Sequence, residues 1–149
     1  KKNFKKMKIA IGSDHGGFKI KQLIYQHLRS KKVTIIDYGC HNEESVDYPD
    51  FAHKVCDSIE SEDVDLGILV CGSGNGINMT ANSHNGVRSA LCWKSEIASL
   101  ARQHNNANVM CLPGRFIEET EAIKCVDEFL SNEFEGGRHQ NRIDKIKCK

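Results

Sequence analysis

At 149 residues, with 21 lysines and arginines against 20 acidic side chains, the chain has the length of one domain and a formal charge of +1. A domain of that size buries most of its apolar surface without disulfide or metal staples. Near-balanced charge excludes the broad positive field of a nucleic-acid binder, so any anion site must be local.

Five of the first eight residues are lysine (Lys1, Lys2, Lys5, Lys6, Lys8). Residues 1–7 therefore read as a disordered end or a remnant of cloning, and residues 8–149 as the single domain. No apolar run has the length of a membrane span, and no basic, apolar and small-residue succession reads as a signal peptide. The seven cysteines (40, 56, 71, 92, 111, 125 and 148) are odd in number and lack Cys-x-x-Cys spacing. That speaks against a disulfide framework or a structural zinc and for a reducing compartment, so the cytoplasm is the expected location.

Short β-rich runs alternate with helical patterns. Lys8–Gly12 (KIAIG) reads as a first strand, followed by GFKIKQLIYQHL, where Ile20, Leu23, Ile24, His27 and Leu28 recur at helical spacing. Val33–Gly39 (VTIIDYG) is a second strand, and YPDFAHKVCDSI a second helix with Pro49 near its start. Leu66–Gly72 (LGILVCG) is a third strand, its near-continuous apolar character fitting coverage on both faces. A short helix from about Gly74 precedes VRSALCW, which contains a fourth strand. SEIASLARQHN forms the next helix, with Ile97, Leu100, Ala101 and His104 on one stripe. NVMCLPG is a fifth strand, and IEETEAIKCVDEFLS a helix on which Ala122, Val126, Phe129 and Leu130 share a face. After EGGR, the tail NRIDKIKCK reads as a last short helix.

Strands alternating with helices give right-handed βαβ units: a parallel five-stranded sheet with helices on both faces, without repeats or a second domain. In such sheets ligands bind outside the carboxyl ends of the strands. The clusters SDHGG (13–17), CGSGNG (71–76) and PGR (113–115) directly follow the first, third and fifth strands and are expected on one rim.

Gly72, Gly74 and Gly76 strip side chains from a strand-to-helix turn, so that successive N–H groups can face an anion at the helix N-terminus. The spacing is neither G-x-G-x-x-G nor a P-loop, so neither dinucleotide nor ATP is favoured. Cys71 stands immediately before this terminus, a position that favours a thiolate. The other six cysteines are expected to be small buried hydrophobes. A phosphatase of the Cys-x5-Arg type is excluded, because the residue six after Cys71 is Ile77. A cysteine base beside N–H donors suits proton transfer between adjacent carbons of a sugar, with the donors holding the enediolate.

Asp14-His15 after the first strand serves either as a turn and cap or, beside Cys71, as a pair that handles sugar hydroxyls and a phosphate. His104 and Asn105 end the fourth helix, where a histidine is either a core residue or a functional one. Arg138 and Arg142, four apart, form either a solvated face or a phosphate clamp, with Arg115 as a third contributor. No cluster has metal-ligand spacing, and the proton transfer needs none; no cofactor is expected.

Together, GSDHGGF, DYPDFA, GILVCGSGNGI, ANSHNGVRSALC, LARQHNNANV, LPGR and EGGRHQNRI resemble the type B ribose-5-phosphate isomerase family, shared with galactose-6-phosphate isomerase subunits and allose-6-phosphate isomerases. The resemblance runs from about Lys8 to about Ile146. It implies a three-layer Rossmann-like fold and metal-free interconversion of D-ribose 5-phosphate and D-ribulose 5-phosphate. It also implies a homodimer, or a tetramer, whose active sites are shared between subunits and whose C-terminal helical segment packs on the partner. Cys71 would be the base, and Gly72, Gly74, Asn75 and Gly76 would line the enediolate loop. His104 would open the furanose ring and Asp14 handle hydroxyl protons, while Tyr48 and Asn105 contact the sugar. His15, Arg115, Arg138 and Arg142 would hold the phosphate. Ser73 stands where threonine is common in the cysteine-containing branch and keeps the hydroxyl. Some relatives use a glutamate a few residues further on as the base, and this loop has Asn75 and no carboxylate. The competing readings are a hexose-phosphate isomerase with the same machinery and a non-catalytic phosphosugar-binding module.

Overall fold

Five strands pair in the order β2-β1-β3-β5-β4, and all their pairings are parallel. They are β1 (Lys8–Ser13), β2 (Thr34–Asp37), β3 (Leu66–Cys71), β4 (Ser89–Leu91) and β5 (Val109–Pro113). This computed structural model describes residues 6–148, so Lys1, Lys2 and Lys5 of the lysine-rich end lie outside the described residues. Among the described residues six α-helices complete the layers: α1 (Phe18–Ser30), α2 (Tyr48–Glu60), α3 (Asn75–Asn82), α4 (Ser95–Gln103), α5 (Glu119–Ser131) and α6 (Arg138–Ile143).

The period of two along each strand divides the core into two. Ile9, Ile11, Ile68, Val70, Met110 and Leu112 face α1, α4 and α5, where Ile24, Leu28, Phe129 and Leu130 meet them. Ala10, Leu69, Cys71 and Cys111 face α2 and α3, against Val55, Cys56, Ile77 and Ala81. The central strands β3 and β5 are buried along their whole length, which explains their unbroken apolar runs. Cys71 is thus the last inward residue of a buried strand, and its side chain falls on the α3 side.

Four local readings are corrected by the structure. Met7 is buried in the core, and its carbonyl accepts from Thr34 N–H, so ordered packing begins before Lys8. On α4 the buried residues are Ala98, Ala101 and Arg102, while Leu100 is exposed. Alanines let α4 lie close against α5, and the Arg102 guanidinium is accepted by the Asn106 side chain and the Ala107 carbonyl. The last helix begins at Arg138, earlier than NRIDKIKCK suggests, because Gly136 and Gly137 both turn with positive φ and launch it there. Cys148 is exposed; the other cysteines are buried.

Candidate active site

The parallel register sets the ends of β1, β3 and β5 side by side, with Ser13 opposite Val70 and Cys71 opposite Pro113. Main-chain bonds then stitch the three following loops together. Asp14 N–H donates to the Val70 carbonyl (3.3 Å), Gly114 N–H to that of Cys71 (2.8 Å), and Arg115 N–H to that of Gly72 (3.0 Å). SDHGG, CGSGNG and PGR therefore share one rim, as the strand-end rule requires.

Cys71 Sγ accepts a hydrogen bond from Gly74 N–H at 3.2 Å. Gly74 has φ +79°, a left-handed turn that a side chain would strain, and it points this N–H back at the sulfur before α3 begins. Cys56, Cys92, Cys111 and Cys125 have a different environment. Burial, reinforced by Glu60 and Asp57, pushes the Cys56 thiol up to about 12. Burial likewise raises Cys92 and Cys125 to about 12, and raises Cys111 as well. They stay thiols at neutral pH, as expected of core residues.

Around Cys71 stand Asp14, His15, Tyr48, Ser73 and Arg115. Asp14 caps the 3-10 turn His15–Gly17 by accepting from Gly17 N–H at 3.1 Å, so the cap reading holds for Oδ1. His15 Nδ1 accepts from Val46 N–H (3.2 Å), which leaves Nε2 to carry the proton of the neutral ring. Tyr48, the first residue of α2, lays its ring directly on Gly76, where any side chain would collide with it. Ser73 Oγ accepts from Asn75 N–H (3.2 Å). The Arg115 guanidinium lies against the backbone of Gly16 and Gly72. Beside it opens a groove of about 330 Å³ lined by His15, Gly16, Lys19, Glu43, Gly114 and Arg115. Lys19 and Glu43 were not among the expected site residues. The signal for Lys19 was its spacing of four from His15 on a helical run; Glu43 sits in a loop with no such signal. A larger groove of about 600 Å³ lies elsewhere, between the α3–β4 loop and the C-terminal segment, and holds none of the expected residues.

The other four expected residues are not on this rim. α4 leaves the carboxyl end of β4 and runs back to the amino end of β5, so His104, its C-cap, and Asn105 lie at the opposite end of the sheet. Strand β5 alone separates the two ends by about 13 Å. There α6 supplies Arg138 and Arg142 beside them. The His104 ring stacks on His139 with centroids 4.2 Å apart and planes at 14°. Glu135 Oε1 lies 3.7 Å from Nε2 of each imidazole. Partial burial, then the neighbouring His104 and Arg138, hold the His139 imidazole below its usual range. His104, Glu135 and His139 also carry the ligand atoms of a possible cation site, a grouping sequence spacing did not show. One chain thus brings Asp14, His15, Tyr48, Cys71, the glycine loop and Arg115 together, and gathers His104, Asn105, Arg138 and Arg142 separately.

Residues 9–146 match the family model described as Ribose/Galactose Isomerase. The chain belongs to that family. It is 51% identical over 140 residues to the probable ribose-5-phosphate isomerase B of Mycoplasma genitalium, covering 93% of this chain and 92% of the relative. To the ribose-5-phosphate isomerase B of Escherichia coli K12 it is 42% identical over 139 residues, 93% of each chain. Among solved structures, the ribose 5-phosphate isomerase of Thermotoga maritima superposes with a TM-score of 0.93 at 50% identity, covering 95% of this chain and 97% of that one. The Mycoplasma genitalium enzyme with bound ribulose-5-phosphate gives 0.89 at 50% identity, with 95% and 94% covered. The isomerase family fold is therefore the one seen here, a five-stranded parallel sheet between helical layers. Among the described residues no helix is long and apolar enough to cross a membrane.

Proposed function

We propose that this chain interconverts D-ribose 5-phosphate and D-ribulose 5-phosphate by proton transfer between C1 and C2 through an enediolate, with no metal required. The observation that carries this reading is the Cys71 sulfur, 3.2 Å from Gly74 N–H at the mouth of a loop of main-chain donors. As a thiolate, Cys71 takes the proton from C2 of the open aldose and returns it to C1. N–H groups of Gly72 to Gly76 meet the negative charge that develops on the enediolate oxygen, where fixed dipoles act most strongly. Asp14 and Ser73 exchange hydroxyl protons, Tyr48 walls the sugar, and His15 and Arg115 take the phosphate.

Opening the furanose ring and closing the phosphate clamp fall to His104, Asn105, Arg138 and Arg142. These residues lie on the opposite rim of the same chain, so we assign them to a second copy. A two-fold pair brings the α4/α6 cluster of one copy over the carboxyl rim of the other, and symmetry makes two such sites. The homodimer is thus part of the reading, and a cytoplasmic location fits the free thiols and the substrate class.

The test is turnover in deuterated water with ribose 5-phosphate, allose 6-phosphate and galactose 6-phosphate side by side. Conversion of the pentose phosphate with solvent deuterium entering at C1 or C2 is expected. Preferential turnover of a six-carbon substrate would contradict the substrate assignment. Binding without label exchange would make the chain a phosphosugar-binding module instead.

A further inference from the structure

Besides His15 and Arg115, the groove beside Gly72 is lined by one further cation, Lys19, and one carboxylate, Glu43. Lys19 lies in the first turn of α1, four residues after His15, so both side chains reach the same lip. Its Nζ stands 3.8 Å from Glu43 Oε1, with the two side chains 84% and 57% exposed. That is ion-pair range but beyond hydrogen-bonding distance, and an exposed pair of this kind is only weakly held. The loop that carries Glu43 is anchored on both sides of it. Cys40 N–H donates to the Ser13 carbonyl on one side (2.8 Å), and Val46 N–H to His15 Nδ1 on the other (3.2 Å).

We infer that Lys19 is a further phosphate contact of this site, and that Glu43 is the counter-ion it leaves when the phosphate enters. The inference rests on the sugar-phosphate reading above and deepens it at the phosphate end. A phosphate dianion beside Arg115 attracts Lys19 more strongly than one loosely held carboxylate does. The same dianion is repelled by Glu43. The lip therefore exchanges one partner of Lys19 for another, and the two side chains act on affinity with opposite sign.

Lys19→Met keeps the aliphatic stem and removes the charge; Glu43→Gln keeps the shape and removes the repulsion. With ribose 5-phosphate at low salt, Lys19→Met should raise KM about threefold, and Glu43→Gln should lower it about twofold. Both effects should shrink in about 0.5 M salt, as rim charges do. Competitive inhibition by inorganic phosphate should weaken and strengthen in parallel, while Lys124→Met, exposed on α5, changes neither. Unaltered KM and unaltered phosphate inhibition in Lys19→Met would overturn the assignment while turnover by the unmodified enzyme left the isomerase reading intact. Direct titration with inorganic phosphate covers the converse case. Weaker binding by Lys19→Met, in a protein that isomerises nothing, would uphold the lip and sink the isomerase reading alone.

Discussion

The carboxyl rim and the α4/α6 cluster are built on different principles. On the rim, most of the construction is main chain: the loop after β3 is held by backbone hydrogen bonds that continue past the strand ends, from Gly114 to Cys71 and from Arg115 to Gly72. Cys71 is 4% exposed and Asp14 7%, so neither has freedom to wander. At the opposite end Arg138 and Arg142 are long, exposed side chains on a six-residue helix that has no side-chain cap. Such a helix is too short to be stable alone and takes its support from what packs on it. On the proposed assignment, the groups that meet the reacting atom thus sit on the buried scaffold. On the same assignment, the groups that neutralise charge and close over the sugar sit where a second copy would bring them in.

The contrast predicts different kinetic damage at the two ends. Removing the proposed base should be the largest effect. Cys71→Ala should lower kcat by about 10³-fold or more, with substrate still bound, as measured by steady-state kinetics and by titration with ribose 5-phosphate. Retention of near-normal kcat would move the base elsewhere. At the other end, Arg142→Ala should raise KM about tenfold or more and change kcat less, because phosphate contacts are largely shared by ground and transition states. A large fall in kcat at unchanged KM would mean that α6 contributes to the chemical step and would blur the distinction.

The smallest expected effect concerns pH. His139 binds its proton less readily in the folded state than in the unfolded chain, owing to burial and to the facing His104, Arg138 and Arg142, which outweigh Glu135. The unfolded state therefore takes up more protons as pH falls below about 6.5, and folding stability drops in that window. His139→Gln should lose less Tm between pH 7.5 and 5.5 than the parent protein. An equal loss in both would assign the acid sensitivity to another group.

Much of this was legible in the chain because the signals were local. The apolar runs of β3 and β5, the Asp14-His15 turn and the glycines after Cys71 each declare their local structure within a few residues. The rim itself followed from strand order alone. What escaped was non-local. Nothing near Tyr48 says that its ring will lie on Gly76, and nothing near Lys21 says that it will be buried against Asp37, with Nζ 2.9 and 2.7 Å from the two carboxylate oxygens. The α4 stripe misled because alanine counts little in a hydrophobicity pattern yet marks where two helices approach closely. His104 was found by its position at a helix end, but its stacking on His139 depends on how α6 folds back, and its distance from Cys71 on the direction in which α4 runs from β4 to β5.

The separation of Cys71 from His104 and Arg142 within one chain is tested most directly by mixing two inactive proteins. Cys71→Ala lacks the proposed base; the double variant His104→Ala, Arg142→Ala lacks what the partner is proposed to contribute. Co-expressed or reassembled together, they should form mixed dimers in which one site is whole and the other doubly defective. Activity should recover to about a quarter of the parent value at a one-to-one ratio, half of the dimers carrying one working site of two. A mixture no more active than its components would show that each chain completes its own site, and the shared-site account would fail.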